Sequence, residues 1–402
     1  MNDLVQLTTS SAFNSIATVL WFVVPLFLFA MWWEIRLMAR RAAFVSKIEW
    51  LMYEIRVPRE SMKSIKSMEQ VFASLYGMYS FGIKPLDKYL DGKVEIWMSF
   101  ELVGRGGGIS FYARIPKTHK NLFESAIYAQ YPDAELILSQ DYTQELPRHL
   151  PNDAWDLWGT GFSLVKKHPY PLRTYSYFED APKEEKRIDP LATIFEAMSK
   201  LKSDEMVWIQ LLFSPTASLK DEGQNEIKAF IEKKGASDDP TAKNMAMFRM
   251  TPGDREVIES IERKCSKQVF QLCMRFVYID NRKEFTALNV ASVMGAFQQF
   301  NANHLNALKP DRLVTVTGGV LTRVFKWYKK YKSLSKKRRV YDLYVQRKFG
   351  YSGRLVDEDL PVVSIEELAT LFHFPTSVVK APKLQAIQSR TSEAPVNLPL
   401  GE

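Results

Sequence analysis

A long uncharged segment near the N-terminus constrains this chain most. No charged side chain lies between Asp3 and Glu34, and Phe13 to Trp33 reads FNSIATVLWFVVPLFLFAMWW. About twenty helical residues at roughly 1.5 Å each span the ~30 Å hydrocarbon layer of a bilayer. Pro25 is compatible with a membrane helix, because the carbonyl that it frees can be satisfied locally. We therefore predict a transmembrane helix over residues 13–35.

The same run could instead be a cleaved signal peptide or a buried core helix. A signal peptide has a basic start and a small-residue cleavage site, whereas residues 1–12 hold no Lys or Arg and AMWWEIR offers no such site. An uncleaved anchor is therefore the preferred interpretation, with Trp32 and Trp33 at headgroup level. The predicted membrane-anchor side chains are Trp21, Phe22, Pro25, Phe27, Trp32 and Trp33.

The charges that flank this helix predict its orientation. Arg36, Arg40 and Arg41 follow it, whereas only Asp3 precedes it. Positively charged flanks stay cytoplasmic. We expect a single-pass protein of the cytoplasmic (inner) membrane, with residues 1–12 outside, a linker helix over 36–48 and the remaining chain in the cytoplasm.

Hydrophobic periodicity after residue 48 predicts an α+β fold. Over residues 49–145 the order is strand, helix, strand, strand, helix, strand, which is the order of a ferredoxin-like βαββαβ module. The glycine run 104–108 joins two alternating strands, so it is interpreted as a hairpin turn and not as a phosphate-binding loop.

A second βαββαβ module is predicted over residues 150–318. Its strands are expected at 157–165, 173–178, 207–213, 269–279 and 313–317, and its helices at 190–201 and 284–300. A polar insertion, 214–267, is expected to carry helices at 220–234 and 253–265, the second one capped by TPGDRE. After these two tandem modules we expect a basic aromatic helix over 319–350 and a helical, then extended tail over 351–402.

The residues that carry catalysis or bind metals do not form a recognisable motif. No Gly-x-x-x-x-Gly-Lys-Ser/Thr sequence is present, so we expect neither ATP binding nor hydrolysis. The five histidines lack metal-ligand spacing. Cys265 and Cys273 form neither a zinc half-site nor a disulfide framework, which indicates a reducing compartment. The prediction is a non-enzyme with no catalytic residue, cofactor or metal.

The net charge of +8 is concentrated in one stretch. Residues 323–348 contain eleven Lys or Arg and a single acidic residue, Asp342. Aromatic residues alternate with these cations, a pattern that fits a solvated helix packed on the sheet, an anionic lipid surface, an acidic protein or a nucleic acid. The predicted basic patch is Lys329, Lys330, Lys332, Lys336, Lys337, Arg338 and Arg339.

The C-terminal segment, residues 364–402, reads SIEELATLFHFPTSVVKAPKLQAIQSRTSEAPVNLPLGE. It resembles a stretch of type IV secretion-like, conjugation-type ATPase proteins. In those proteins an EELATLFHFP motif, a threaded P-x-L and a P-x-NLP lead into the motor domain. The matching residues here are Glu366, Glu367, Leu368, Ala369, Leu371, Phe372, His373, Phe374 and Pro375, followed by Pro395, Asn397, Leu398 and Pro399. Segments 54–60, 67–77, 109–136, 170–175 and 189–215 resemble the N-terminal region of the same proteins.

The resemblance implies a role beside a motor ATPase. The motor sequence that follows NLP in longer relatives is missing here, so the ATPase is expected on another chain. We expect a membrane-anchored, oligomeric platform or adaptor, with a nucleic-acid-binding component of the transfer machinery as the alternative. The residues expected to dock the partner are Glu367, Leu368, Leu371, Phe372, His373, Phe374 and Pro375.

Overall fold

The computed structural model describes residues 2–58, 63–80, 82–178, 188–234, 250–311, 314–315, 326–351 and 360–376. Its helices are α1 (Asn2–Ser46), α2 (Ile65–Leu75), α3 (Lys120–Gln130), α4 (Ala192–Ser199), α5 (Lys220–Lys234), α6 (Pro252–Cys265), α7 (Ala287–Ala296), α8 (Lys326–Val345) and α9 (Ile365–Leu371). Its strands are β1 (Trp50–Arg56), β2 (Met98–Arg105), β3 (Gly108–Pro116), β4 (Glu135–Leu138), β5 (Trp155–Leu164), β6 (Met206–Pro215), β7 (Val269–Asn281), β8 (Leu308–Pro310) and β9 (Val362–Ser364). The predicted α+β class is confirmed.

The chain divides into two compact units. The first consists of Met1–Ile48 and Ile83–Val94, and the second of Glu49–Gly82 and Glu95–Glu402. Residues 83–94, which we expected in the first βαββαβ module, therefore belong with α1.

A close backbone approach explains this grouping of residues 83–94. A π-helical turn, Asp87–Asp91, packs against α1 and ends at Gly92, whose φ is 69°. A Cβ at Gly92 would lie only 2.5 Å from the carbonyl carbon of Arg40. Glycine alone fits both the left-handed conformation and this contact.

The second unit is built on one antiparallel sheet. Its strand order is β4-β1-β3-β2-β6-β7-β5-β8, with β9 also paired to β7. The two halves of the chain join where β2 pairs with β6, from Met98 opposite Phe213 to Arg105 opposite Met206. They consequently form one continuous sheet and not two separate bodies.

The glycine run forms the hairpin turn that the sequence predicts. Arg105 pairs with Gly108 where β2 and β3 meet. Between them Gly106 and Gly107 have φ of 53° and 78°. Two consecutive positive φ values define the type I′ turn that matches the twist of paired strands.

The two faces of the sheet have different chemistry. Phe100 and Leu102 of β2 lie on one face, and Glu101 lies on the other because side chains alternate along a strand. On the first face, Phe100 contacts Phe72 of α2 and Phe372, with ring centroids 5.5 and 5.0 Å apart. Burying each such ring contributes about 1.5–3 kcal/mol.

The second half departs from the prediction in two strands. Residues 173–178 form an irregular segment and a 3-10 turn, Tyr175–Tyr177, because the Tyr175 amide donates to Thr370 of α9 instead of to a strand. Leu308–Pro310 forms a strand that was not predicted, and only 314–315 of the predicted strand 313–317 lies in the described residues, where it forms a turn and a bend. The two insertion helices, α5 and α6, are confirmed, and α6 begins with a capping box formed by Thr251 and Asp254.

Candidate functional site

The apolar part of α1 presents large hydrophobic side chains at its surface. The segment Leu20–Ser46 is long and apolar enough to cross a membrane, and only 6% of its most apolar window is buried. Trp21, Phe22 and Phe27 are 79%, 67% and 65% exposed. The predicted apolar helix near the N-terminus is therefore confirmed, and a signal sequence near the N-terminus would pass the same test of length and composition.

Aromatic and basic side chains meet at one level of α1. The guanidinium of Arg36 lies 5.7 and 5.6 Å from the ring centroids of Trp32 and Trp33. A cation held over aromatic faces is stabilised electrostatically, and such pairs are typical of the boundary between lipid and water. Arg40 is exposed one turn further on.

Helix α8 divides the predicted basic patch into an engaged and an exposed part. The engaged side chains, all half-buried, bind oxygen atoms of the body. Their contacts are Lys336 Nζ to the Thr315 carbonyl at 2.6 Å, Lys337 Nζ to the Asp156 carboxylate at 2.5 Å and Arg339 Nη2 to the Tyr351 carbonyl at 2.5 Å. Lys332 is also half-buried, whereas Lys329, Lys330 and Arg338 are exposed.

The aromatic residues of α8 follow the same division. Trp327 and Tyr331, four residues apart and hence on one helix face, are 71% and 68% exposed. Tyr341 and Tyr344 are buried, and the ring of Tyr344 lies 5.4 Å from that of Trp208. The C-terminal half of α8 thus packs on the sheet, as the solvated-helix interpretation requires. Residues 319–325 of the expected basic helix lie outside the described residues.

The residues predicted to dock a partner are buried inside this chain. Leu368 is fully buried, and Phe372 and Phe374 are 1% and 2% exposed. The ring of Phe374 lies 5.2 Å from Phe111 and 5.0 Å from Tyr131. The expectation that these side chains face a partner is wrong, because the sheet and its helices already cover them. The burial extends over Glu367, Leu368, Leu371, Phe372, His373, Phe374 and Pro375.

The acidic start of α9 is also satisfied within the chain. Ser364 and Glu367 form a capping box. The Glu367 carboxylate lies 3.1 Å from Lys264 Nζ and accepts a 2.8 Å hydrogen bond from the Leu172 amide. Glu366 binds Lys267 at 2.7 Å. Burial alone would raise the pKa of Glu366. Hydrogen bonds from Lys267, Ser176 and Thr174 outweigh the effect of burial and lower that pKa.

A buried histidine anchors the end of this segment. His373 Nδ1 lies 2.8 Å from the Ala369 carbonyl, and Nε2 lies 3.0 Å from the Asp189 carboxylate. Both partners are acceptors, so the geometry favours a ring that donates from both nitrogens. Burial opposes ionisation of Asp189, but His373 and hydrogen bonds from Thr376 and Leu191 outweigh it and lower the pKa of Asp189.

A buried ionic network lies on the face of the sheet that is opposite to Phe100. Its central residue, Arg347, follows the end of α8 by two residues. Arg347 binds both carboxylate oxygens of Glu101, at 2.8 and 3.0 Å, and reaches Asp141 at 2.6 Å. Arg347 has a φ of 50°, a left-handed conformation unusual outside glycine. Burial would raise the pKa of Glu101, but the guanidinium outweighs it and lowers that pKa.

The network was missed in the sequence, although a signal for it exists. β6 and β7 are apolar at nearly every position, which is typical of a strand covered on both faces. Gln210 and Arg275 interrupt those runs and are fully buried. Gln210 donates to Glu101 at 3.0 Å and accepts from Arg275 at 2.8 Å. Polar side chains inside two-sided apolar strands therefore indicate a buried network.

An open cleft of about 220 Å³ lies beside this network. Its aromatic walls are Tyr112, Tyr142 and Trp208, and an ion pair between Arg105 and Glu145 lies among its lining residues. Tyr142 Oη already binds Glu101 at 2.7 Å and Tyr344 at 2.8 Å. Among the described residues, no cluster of His, Cys, Asp and Glu could hold a metal ion.

These features define an α+β protein with one exposed apolar N-terminal helix. The chain belongs to a family described as a domain of unknown function, DUF8128, whose profile matches residues 44–385. No curated protein matches the chain.

Among solved structures, the chain is similar to GilR, an oxidoreductase that catalyses the terminal step of gilvocarcin biosynthesis. The identity is 10%, the match covers 75% of this chain and 55% of that one, and the TM-score is 0.28. A variant of berberine bridge enzyme, a reticuline dehydrogenase, shows 9% identity, coverage of 82% and 55%, and a TM-score of 0.24. The chain thus spans about half the length of these enzymes, and at such scores the likeness carries no argument about fold or activity.

Proposed function

We propose that this protein is a non-catalytic, membrane-anchored platform. The observation that carries the proposal is the exposed apolar surface of α1, from Leu20 onwards, which ends at Trp32, Trp33 and Arg36. Leaving so many large apolar side chains in water is unfavourable. A bilayer removes this cost, and α1 then anchors the chain to the membrane.

The proposed orientation places the N-terminus outside the cytoplasmic membrane and the body inside. Its support is the cluster of Arg36, Arg40 and Arg41 after the apolar run. The test uses single cysteines at Asn2 and at Glu196, an exposed residue of α4, in a Cys265→Ser background. A membrane-impermeant maleimide should label position 2 in intact cells and position 196 only after lysis. Labelling at 196 but not at 2 in intact cells would reverse the orientation.

We further infer that each half of the sheet is a ferredoxin-like module, over residues 49–145 and 150–318. In both halves the first strand lies between the third and the fourth, as β3-β1-β4 and β7-β5-β8. In the first half, α2 follows the first strand and α3 the third. In the second half, α4 follows the first strand and α7 the third. The 3-10 turns between these elements are left out of this comparison. This arrangement supports the proposal, because it is the order expected of a βαββαβ unit.

The resemblance to type IV secretion-like, conjugation-type ATPase proteins supports a motor ATPase in trans as the partner. We propose that the body presents this ATPase with surfaces other than the EELATLFHFP segment, whose side chains are buried here. The exposed part of α8, with Lys329 and Lys330, is the surface that we assign to it. Residues 377–402, including the P-x-NLP match, lie outside the described residues.

A nucleic-acid-binding role is the second candidate. The observation that favours it is the pair of exposed aromatic rings, Trp327 and Tyr331, beside exposed Lys329 and Lys330. Cations bind phosphates and aromatic faces stack on bases. Tight binding of single-stranded DNA at physiological salt, lost in Trp327→Ala/Tyr331→Ala, would favour this role over the platform.

A further inference from the structure

The turn that packs on α1 carries an unexpected apolar surface. Leu86 is 71% exposed, and Tyr89 and Leu90 are 44% and 46% exposed. All three belong to the short segment 83–94, in and beside the π-helical turn Asp87–Asp91. Three large apolar side chains exposed on one turn are characteristic of a surface that contacts another phase or partner.

The position of this turn along α1 is fixed by contact within the first unit. Gly92 lies against the backbone at Arg40 and Arg41. Arg40 follows Trp33 by seven residues, or about 10 Å along a helix axis. The headgroup region extends roughly 5–7 Å beyond the hydrocarbon on each side. With Trp33 at the hydrocarbon boundary, the contact at Gly92 lies about 3–5 Å beyond the headgroups. This gap is short enough for the leucine and tyrosine side chains of the turn to cross.

The charges of the turn match the same environment. Lys84 is exposed, and Lys88 Nζ lies 5.8 Å from the ring centroid of Tyr89. Lys93 is paired at 3.0 Å with Asp87, so its charge is balanced locally. Tyrosine and lysine beside leucine are the residues that favour a membrane interface, where the rings and alkyl chains are buried and the polar ends are hydrated.

We propose that residues 83–94 form a second membrane contact, in which Leu86, Tyr89 and Leu90 insert into the headgroup region of the bilayer that α1 spans. This inference rests on the proposed membrane anchor. With a helix and a turn both held at the surface, the first unit contacts the bilayer at two places and resists rotation about the axis of α1. We assign this surface to the lipid interface, because the turn packs on the part of α1 that follows the apolar run.

The test is the membrane depth of nitroxide labels on the full chain in lipid nanodiscs. Single cysteines replace Leu86 or Leu90 in a Cys265→Ser background, and buried Cys273 is retained. Val24→Cys, in the exposed part of α1, marks the bilayer interior, and Glu196→Cys marks water. The measured quantity is the ratio of accessibility to oxygen and to a water-soluble nickel complex.

The ratio at 86 and 90 should lie between the values at 24 and 196, and should fall to the value at 196 when the chain is transferred to a short-chain detergent. If 86 and 90 match 196 in nanodiscs while 24 reports the bilayer interior, the second contact is excluded and the anchor stands. If 24 also matches 196, the anchor itself fails. Nickel accessibility that is low at 86 and 90 in both nanodisc and detergent would mean that protein covers the turn, which also contradicts the inference.

Discussion

At the scale of single residues, Phe372 distinguishes a structural from an interfacial role for the C-terminal motif. Its ring packs on Phe100 at 5.0 Å and is 1% exposed. We expect Phe372→Ala to lower the free energy of unfolding by about 3–5 kcal/mol, because it removes a core ring and leaves a cavity. Denaturant unfolding followed by tryptophan fluorescence measures this change.

Tyr331→Ala, which removes an exposed aromatic residue, is the matched control and should change stability by less than about 0.5 kcal/mol. A Phe372→Ala protein as stable as the parent would mean that the segment is not part of the core, and would restore the docking hypothesis.

The ionic network around Arg347 gives a second prediction. Its guanidinium binds Glu101 and Asp141, and its side chain is 2% exposed. Arg347→Met would leave the buried Glu101 carboxylate and the half-buried Asp141 carboxylate without their cation, at a cost of about 3–5 kcal/mol. Arg338→Met, an exposed arginine of α8, should cost less than about 0.5 kcal/mol. Equal stabilities of the two variants would show that the network is not formed.

Acid should destabilise the protein through Asp189, Glu101 and Glu366. In each case burial raises the pKa, but cations or hydrogen-bond donors outweigh it and the folded pKa lies below its usual value. A carboxyl with a depressed folded pKa stabilises the fold above its unfolded pKa of about 4, and this contribution is lost as the pH falls through the folded value. Unfolding free energies measured from pH 6 down to pH 2.5 should therefore decline below about pH 4.

Asp189→Asn isolates one of these groups, because asparagine does not titrate. This variant should be less stable at pH 6 and should show a shallower decline below pH 4 than the parent protein. Parallel curves for the two proteins would contradict the assignment of the lowered pKa to Asp189.

At the scale of elements, substitutions in α8 should change either partner binding or protein stability, depending on which face of the helix they affect. Lys329 and Lys330 are exposed, whereas Lys337 binds Asp156 at 2.5 Å with both side chains largely buried. We expect Lys329→Gln/Lys330→Gln to leave the unfolding free energy unchanged, to slow association with the partner ATPase and to flatten its salt dependence. Surface plasmon resonance at 50 and 300 mM salt measures both effects.

Lys337→Gln is the contrasting variant. It should lower stability and leave the salt dependence of binding as it is in the parent. If both variants bind the ATPase with unchanged association rates at each salt concentration, the exposed part of α8 is not the docking surface.

The elements show which parts of the fold the sequence can predict. Alternation located β1 and β3, because one residue in two must face the core. The nearly continuous apolar runs of β6 and β7 located those two strands, which are covered on both faces. Neither pattern could locate β8, since Leu308–Pro310 has only three residues and no periodicity to detect. It also failed at 173–178, where Thr174 and Tyr175 bind α9, almost two hundred residues away.

The candidate surfaces were predicted less completely, for a related reason. Composition locates an apolar helix and a cluster of cations, but it does not tell which of those cations a fold will engage. Lys336 and Lys337 lie beside Arg338 in the sequence, yet only Arg338 is exposed. The burial of Phe372 and Phe374 follows from strand pairing across the whole body, which no local pattern records.

At the scale of the whole molecule, the account depends on α1 remaining in the membrane as part of the mature chain. The exposed apolar surface of α1 explains how the protein is anchored to the membrane. Residues 83–94, in the same unit as α1, add a second membrane contact. A signal sequence would share its composition but would be removed. The mature N-terminus and the attachment to the membrane therefore test the account together.

The most direct measurement is alkaline carbonate extraction of membranes from cells that produce the full chain, combined with intact mass of the recovered protein. The account predicts that the parent stays in the membrane pellet with residues 20–46 present, and that Val23→Arg/Val24→Arg, which places two charges in the apolar run at several kcal/mol each, is released to the supernatant. A parent protein that is released by carbonate, or whose mass shows cleavage after α1, would contradict the central claim.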